Sequence, residues 1–261
     1  MDFLHKINQN PAPELFWNFP EQKQGAVNII GGNLQNFRTP VKIAETLAAN
    51  YPVKTANLVL PDALQSKLPP LPNFIFLAST DSGSFAHGDE LTKTINAADF
   101  SILIGDFSKN SITEQAIFDA CIAAATPVII TRDTVDLIAA SATDQLLMKD
   151  NLIFLASMPQ LIKLFRAIYY PKMLLLSQPL TQVAETLHKF TLSYPAKIIT
   201  LHNDQILIAE NGNVNVVPLS KTPYSPLNFW FGDLAAGIAA TNLYNPNNFL
   251  VATTATLFGQ K

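Results

Sequence analysis

Short apolar runs alternate with longer amphipathic stretches through most of this chain. Residues 26–30, 56–60, 74–78, 100–104, 128–130 and 152–156 are rich in Ile, Leu, Val and Phe and are predicted to be buried strands. Between them, residues 40–50, 89–98, 112–125, 134–148 and 159–167 have helical character. Strand then helix, repeated, implies right-handed βαβ crossovers and a parallel sheet with helices on both faces. After about residue 194 the pattern changes: residues 197–201, 205–209 and 214–217 are strand-like, separated by Asn203-Asp204 and by Asn211-Gly212-Asn213. Asn-Gly between apolar runs favours a tight hairpin, so an antiparallel meander is expected on one edge of the sheet. Two helices close the chain, the second over 247–258.

Several boundaries carry local signatures. Ser111 with Glu114 reads as a capping box for the helix that follows. Thr39 before Pro40, and Asn245 before Pro246, each read as an N-cap followed by proline at the first helical position.

The chain has 261 residues, 48% apolar and 14% charged, which suits one α/β domain over 1–261 with residues 1–25 as an N-terminal extension. A net charge of −3 without a basic stripe argues against nucleic acid or an anionic membrane surface as the main partner. No uninterrupted apolar run approaches the ~18 residues of a membrane span, and the N-terminus does not read as a signal peptide. The single Cys121, in the apolar run 116–125, is expected in the core. One cysteine excludes an internal disulfide framework, and a cytoplasmic location is expected. Glycine is scarce: there are 10, and none falls between Gly105 and Gly212. Loops that bring backbone close to phosphate ordinarily need it.

The most informative stretch runs from Asn228 through Phe229-Trp230-Phe231-Gly232-Asp233 into a helix of small apolar residues. A helix start offers unpaired N–H groups and a positive dipole end to an anion, and an acid there can serve as a base or as a cap. The segment resembles the Gly-Thr-Gly-Asp anion hole of the ribokinase-like superfamily, without its first glycine. Over roughly residue 27 to the C-terminus, the chain resembles one branch of that superfamily, the ADP- or ATP-dependent NAD(P)H-hydrate dehydratases, which repair hydrated nicotinamide cofactors. Ile29-Ile30-Gly31-Gly32-Asn33 is similar to the strand end Gly-Gly-Ser that opens that family. Residues 98–105 lead, as there, into a glycine loop of which Gly105 survives. Asp133 matches the second acid of Asp-Ala-Asp-Ala-Leu, with Thr131 in place of the first.

The resemblance implies a ribokinase-like three-layer α/β sandwich, with ADP or ATP and Mg²⁺ as cofactors and an NAD(P)H hydrate as substrate. It also implies a small-molecule ligand as partner and assembly into a homo-oligomer. It casts Asp233 as catalytic base and Gly232 as the phosphate cradle. Phe231, His202 and Asn203 fall on the nucleotide side; Gly31, Gly32, Asn33, Gly105 and Asp133 fall on the substrate side. No metal-ligating side chains are expected.

Departures from the family pattern are equally specific. Asp106 and Phe107 stand where the glycine loop continues, and Asp106 would repel a phosphate or cap a turn. Met158 and Leu161 take the His and Glu positions of Thr-Pro-His-x-Gly-Glu, and no lysine stands near His202 where the family ends a strand with Lys-Gly. His202 reads either as a substitute polar contact or as a solvent-facing turn histidine. Asp133 reads equally as a ligand-facing acid or an N-cap. The aromatic rings at 229–231 either plug a vacated site or stack on a flat ligand. Three functions stay open: a divergent NAD(P)H-hydrate dehydratase, a pseudo-enzyme binding or scaffold module, and a small-molecule kinase.

Overall fold

The computed structural model describes residues 2–11, 23–69 and 71–259; residues 12–22 of the expected N-terminal extension lie outside them. The elements follow the apolar runs. In chain order they begin with β1 (Leu4–Lys6), β2 (Gln24–Gly31), α1 (Arg38–Asn50), β3 (Val53–Pro61), β4 (Phe74–Leu77) and α2 (Gly88–Asn96). Next come β5 (Phe100–Gly105), α3 (Ser111–Ala123), β6 (Val128–Thr131), α4 (Asp133–Ala140), α5 (Asp144–Leu147), β7 (Leu152–Leu155), α6 (Met158–Ala167) and α7 (Leu180–Ser193). The chain ends with β8 (Lys197–His202), β9 (Gln205–Glu210), β10 (Asn213–Pro218), α8 (Asp233–Tyr244) and α9 (Phe249–Leu257).

Among the described residues the strands form one ten-stranded sheet, ordered β1-β10-β9-β8-β7-β6-β5-β2-β3-β4. From β4 across to β8 every pairing is parallel, as the alternation of strands and helices requires. The β8–β9 and β9–β10 pairings are antiparallel, which makes the predicted meander. Both hairpins close over two residues with positive φ, Asn203-Asp204 (46° and 58°) and Asn211-Gly212 (47° and 77°). That backbone twist suits the right-handed twist of the flanking strands.

Two hydrophobic clusters line the two faces of the sheet. One collects Leu91, Ile117, Val135, Leu164 and Phe190 from α2, α3, α4, α6 and α7. The other collects Ile43, Leu234, Ile238, Phe249 and Leu257 from α1, α8 and α9. The result is helix, sheet, helix in three layers. Cys121 is fully buried in the first cluster, as expected.

The structure corrects several local expectations. The stretch 134–148 is not one helix: α4 ends where the Ser141 N–H turns back to Ile138 C=O, and the Ser141 hydroxyl donates to Glu114 Oε1. Glu114 is therefore occupied elsewhere, and α3 is capped by Asn110, whose side chain accepts from the Thr113 N–H at 2.9 Å. Thr39 lies inside α1, which starts at Arg38 after Phe37. Asn245 does not cap α9; its amide donates to Thr241 C=O, and the helix starts after Asn248. Two elements had no predicted counterpart. β1 adds a short parallel strand beside β10. The helix α7 buries Val183, Ala184, Leu187, Phe190 and Thr191, a helical spacing that was present in the sequence.

Among the described residues, no helix is long and apolar enough to cross a membrane.

Candidate functional site

In an open parallel sheet, ligands gather beyond the carboxyl ends of the strands. Here the ends of β2, β5 and β6 converge on a small knot of backbone. Gly32 N–H donates to Gly105 C=O at 2.9 Å, and Asn33 Nδ2 donates to Asp106 C=O at 2.6 Å. Asn33 Oδ1 accepts from the N–H groups of Gln35 and Asn36, so this buried side chain folds its own loop rather than facing outward. Gly31 lies so near the knot that a β-carbon on it would sit 2.5 Å from Gly105 C=O.

Asp133 decides what the knot can hold. It is the first residue of α4, and the N-cap position belongs to Arg132, so of the two readings left open for Asp133 the N-cap is not the one it plays. Instead both carboxylate oxygens lie 3.1 Å from the Asp106 N–H. Gly105 has φ +92°, Asp106 has φ 61°, and Arg132 has φ 55°; the turn is left-handed at each. Successive N–H groups in such a turn make an anion-binding concavity. In this chain the anion is internal. Arg132 donates to Asp106 Oδ1 at 2.9 Å, and Gln160 Nε2 donates to Arg132 C=O at 2.7 Å, which ties the loop to α6. Asp106 thus pairs with Arg132 and does not cap α3.

Burial lifts the Asp133 carboxyl above the ordinary carboxylate range, with Asp106's charge adding to it, while the Asp106 N–H and Arg132 oppose the rise. An acid raised in this way leaves the native state holding more protons than the unfolded chain, so its contribution to stability improves as pH falls through the native pKa. Asp133→Asn keeps an oxygen for the Asp106 N–H and removes the charge. It is expected to be at least as stable as the parent at neutral pH, with the difference vanishing in acid. Urea denaturation across that pH range measures it, and a neutral-pH loss of stability contradicts it.

From the opposite face of the sheet, α8 reaches the same strand end. Gly232 takes the left-handed N-cap position at φ 106°, where a β-carbon would come within 2.6 Å of Ile104 Cδ1. The first hydrogen bond of α8 runs from Ala236 N–H to Gly232 C=O, so the earlier N–H groups have no partner inside the helix. Asp233, half-buried, leans sideways toward α1: Thr46 Oγ1 lies 3.5 Å from its Oδ1. Tyr51 and Tyr224 are neighbours, both pushed up chiefly by burial, with Asp233's negative charge adding to the rise. The preceding aromatics divide. Phe229 is fully buried, edge-on to Trp230 (4.6 Å, 81°) and Tyr224 (6.2 Å, 85°), whereas Phe231 is 52% exposed.

His202 and Asn203 lie at the β8–β9 turn, separated from β5 by β6 and β7. The solvent-facing reading of His202 is wrong: it is buried, its Nε2 bonded to Gln178 C=O (2.8 Å) and to the Asn203 amide (3.1 Å). The chain between α6 and α7 covers it, and that cover was invisible without knowing where residues 168–179 run.

Two clefts open beside the knot. One, about 440 Å³, is lined by Asp133, Asp136, Glu114, Lys163 and Lys109; the other, about 500 Å³, by Asn33, Gln35, Asp81, Ser82 and Lys109. Lys109, Asn110 and Phe107 border both. Lys109 and Arg132 lie in the loops before α3 and α4, and Asp136 and Lys163 on helices; in the sequence each is an isolated charge that reads as solvated surface. Among the described residues, no group of three His, Cys, Asp or Glu side chains could hold a metal ion. The Asp106 N–H of the Gly105–Asp106 turn is already occupied by the Asp133 carboxylate.

No protein-family model matches the sequence, and no curated protein matches it either. Solved structures do match. A ribokinase-like superfamily protein from Enterococcus faecalis V583 aligns at TM-score 0.65 and 15% identity, over 99% of this chain and 87% of the other. The ADP/ATP-dependent NAD(P)H-hydrate dehydratase of Bacillus subtilis, co-crystallized with ATP/Mg²⁺, aligns at TM-score 0.54 and 14% identity, over 90% and 77%. A hydroxyethylthiazole kinase from Pyrococcus horikoshii OT3 aligns at TM-score 0.56 and 12% identity, over 95% and 81%. Strand order, layer arrangement and these alignments agree: the protein has the ribokinase-like fold.

Proposed function

We propose that the protein is a small-molecule-binding module on the ribokinase-like fold, similar in ancestry to the NAD(P)H-hydrate dehydratases, in which phosphoryl chemistry has been lost. The observation that carries this reading is the Asp133 carboxylate on the Asp106 N–H, where a substrate-cradling glycine loop would present its backbone to an anion. The sequence departures at Met158, Leu161 and His202 point the same way. The paired clefts around Lys109 support a small polar metabolite as the bound species.

The test is direct. The purified protein is incubated with NADH hydrate, Mg²⁺ and either ATP or ADP, and restored NADH is followed by absorbance. No nucleotide-dependent restoration is expected, and no thermal shift with either nucleotide. For comparison, a ligand at a hundred times its Kd stabilises by about 2.7 kcal/mol. Restoration above the uncatalysed rate overturns the proposal.

One observation favours a second reading, an active NAD(P)H-hydrate dehydratase: Gly232 keeps the left-handed N-cap geometry, with Asp233 in the first turn of α8. Under it, Asp233→Asn lowers the restoration rate by roughly a hundred- to ten-thousand-fold, the range of a lost general base. Under the first reading the same variant is silent in that assay.

A further inference from the structure

Away from the knot, the end of α6 carries a feature that folding alone does not account for. Ile168 is the C-cap; the Tyr169 N–H donates to Arg166 C=O at 3.1 Å and the Tyr170 N–H to Phe165 C=O at 2.8 Å. This pair of bonds is the Schellman arrangement, whose first residue past the cap takes left-handed backbone and is ordinarily glycine. Here that residue is tyrosine, at φ 53°. Its ring gains nothing from burial, since Tyr169 is 92% exposed. A bulky side chain in left-handed backbone is costly, and no burial of the ring offsets that cost here.

Tyr169 lines a cleft of about 320 Å³ formed by residues of α6 and of the chain leading to α7. Phe165, Tyr170, Ile162 and Leu174 supply apolar walls, and Tyr170 is braced edge-on against Phe165 (5.0 Å, 72°) and Phe190 (5.2 Å, 78°). Two cations line the same cleft, Arg166 and Lys172. Among the described residues the Arg166 guanidinium has no ion pair. Lys172 lies 3.9 Å from Glu185, but Lys189 is bonded to that same carboxylate oxygen. The neighbouring Lys189 also pulls the Lys172 ammonium below its ordinary range. Two lysines therefore share one acid beside the apolar cleft, and Arg166 has none among the described residues.

We propose that this cleft binds a small amphipathic anion, a carboxylate on an aromatic or apolar body, with Tyr169 as its cover and Arg166 and Lys172 as the partners of the charge. The body packs between the rings, and the carboxylate supplies Arg166 with the negative charge it lacks and Lys172 with one it does not share with Lys189.

The probe is 3-phenylpropionate, titrated into the full chain by calorimetry beside its neutral amide. Saturable binding of the carboxylate is expected, with the amide weaker by about ten-fold or more. Arg166→Gln should weaken the carboxylate by a similar factor and leave the amide unchanged. Tyr169→Gly separates function from folding by opposite signs. It should weaken 3-phenylpropionate at least about five-fold while raising the thermal midpoint by roughly 2–4 °C, because glycine suits the left-handed position. Equal binding of acid and amide, no saturable binding, or a Tyr169→Gly variant of unchanged affinity or lowered midpoint overturns the proposal.

Discussion

Gly105→Ala is expected to destabilise the protein by about 3 kcal/mol, combining left-handed strain with overpacking. Gly105 lies at φ +92°, and a β-carbon built there would sit 1.9 Å from Asp133 Oδ1 and 2.9 Å from its Cγ. The new methyl group cannot be accommodated by rotating a flexible side-chain end, because that end is the acceptor for the Asp106 N–H. Displacing Asp133 would leave a partly buried amide unsatisfied, which costs about 1–3 kcal/mol by itself. Chemical denaturation measures the loss. A cycle with Asp133→Ala apportions it: the double variant should recover the overpacking part and keep the backbone part. If the two losses simply add, the Gly105–Asp133 contact is not what fixes the loop.

Phe229→Ala should cost about 4 kcal/mol, the middle of the range for a buried phenylalanine. The ring is fully buried in the cluster beneath α1 and α8, and its edge contacts with Tyr224 and Trp230 hold the chain that delivers Gly232. Removing it opens a cavity directly before α8, so the loss should extend to the order of Gly232 and Asp233, read as faster amide exchange at the start of that helix. Phe231→Ala provides the contrast. Its ring is half in water, and the change should stay within about 0.5 kcal/mol. Comparable losses at the two positions would remove the distinction between a plugging ring and an exposed one.

The two expectations share a cause. The strand end at Ile104–Gly105 is approached by Asp133 from one face and by Gly232 from the other, with Gly31 packed alongside. Such a junction tolerates neither added nor missing volume. At the same junction Gly105 and Asp106 both take left-handed backbone, and the Asp106 N–H is occupied by the Asp133 carboxylate of the same chain.

Much of this was legible before any coordinates. Strand runs such as 100–104 and 128–130 are apolar because both faces of a central parallel strand are covered, and that pattern survives in any single sequence. Asn211-Gly212 announced its hairpin because few other pairs adopt two successive positive φ angles without strain. The position of Gly232 and Asp233 at a helix start followed from local sequence as well. What the sequence determined, then, was the type of most elements, set by neighbours within a few residues, and the layer arrangement that their alternation implies. Tertiary structure alone decided their partners. Asp133 was equally a cap or a ligand-facing acid until the loop 27 residues earlier in the chain presented its N–H. His202 looked solvent-facing until residues 168–179 ran across it, and Tyr169 was unremarked until its φ showed it in a glycine's place. Hydrogen bonds and burial are set by distance in space, and a carboxylate's role depends on which amide the fold brings within 3.1 Å of it.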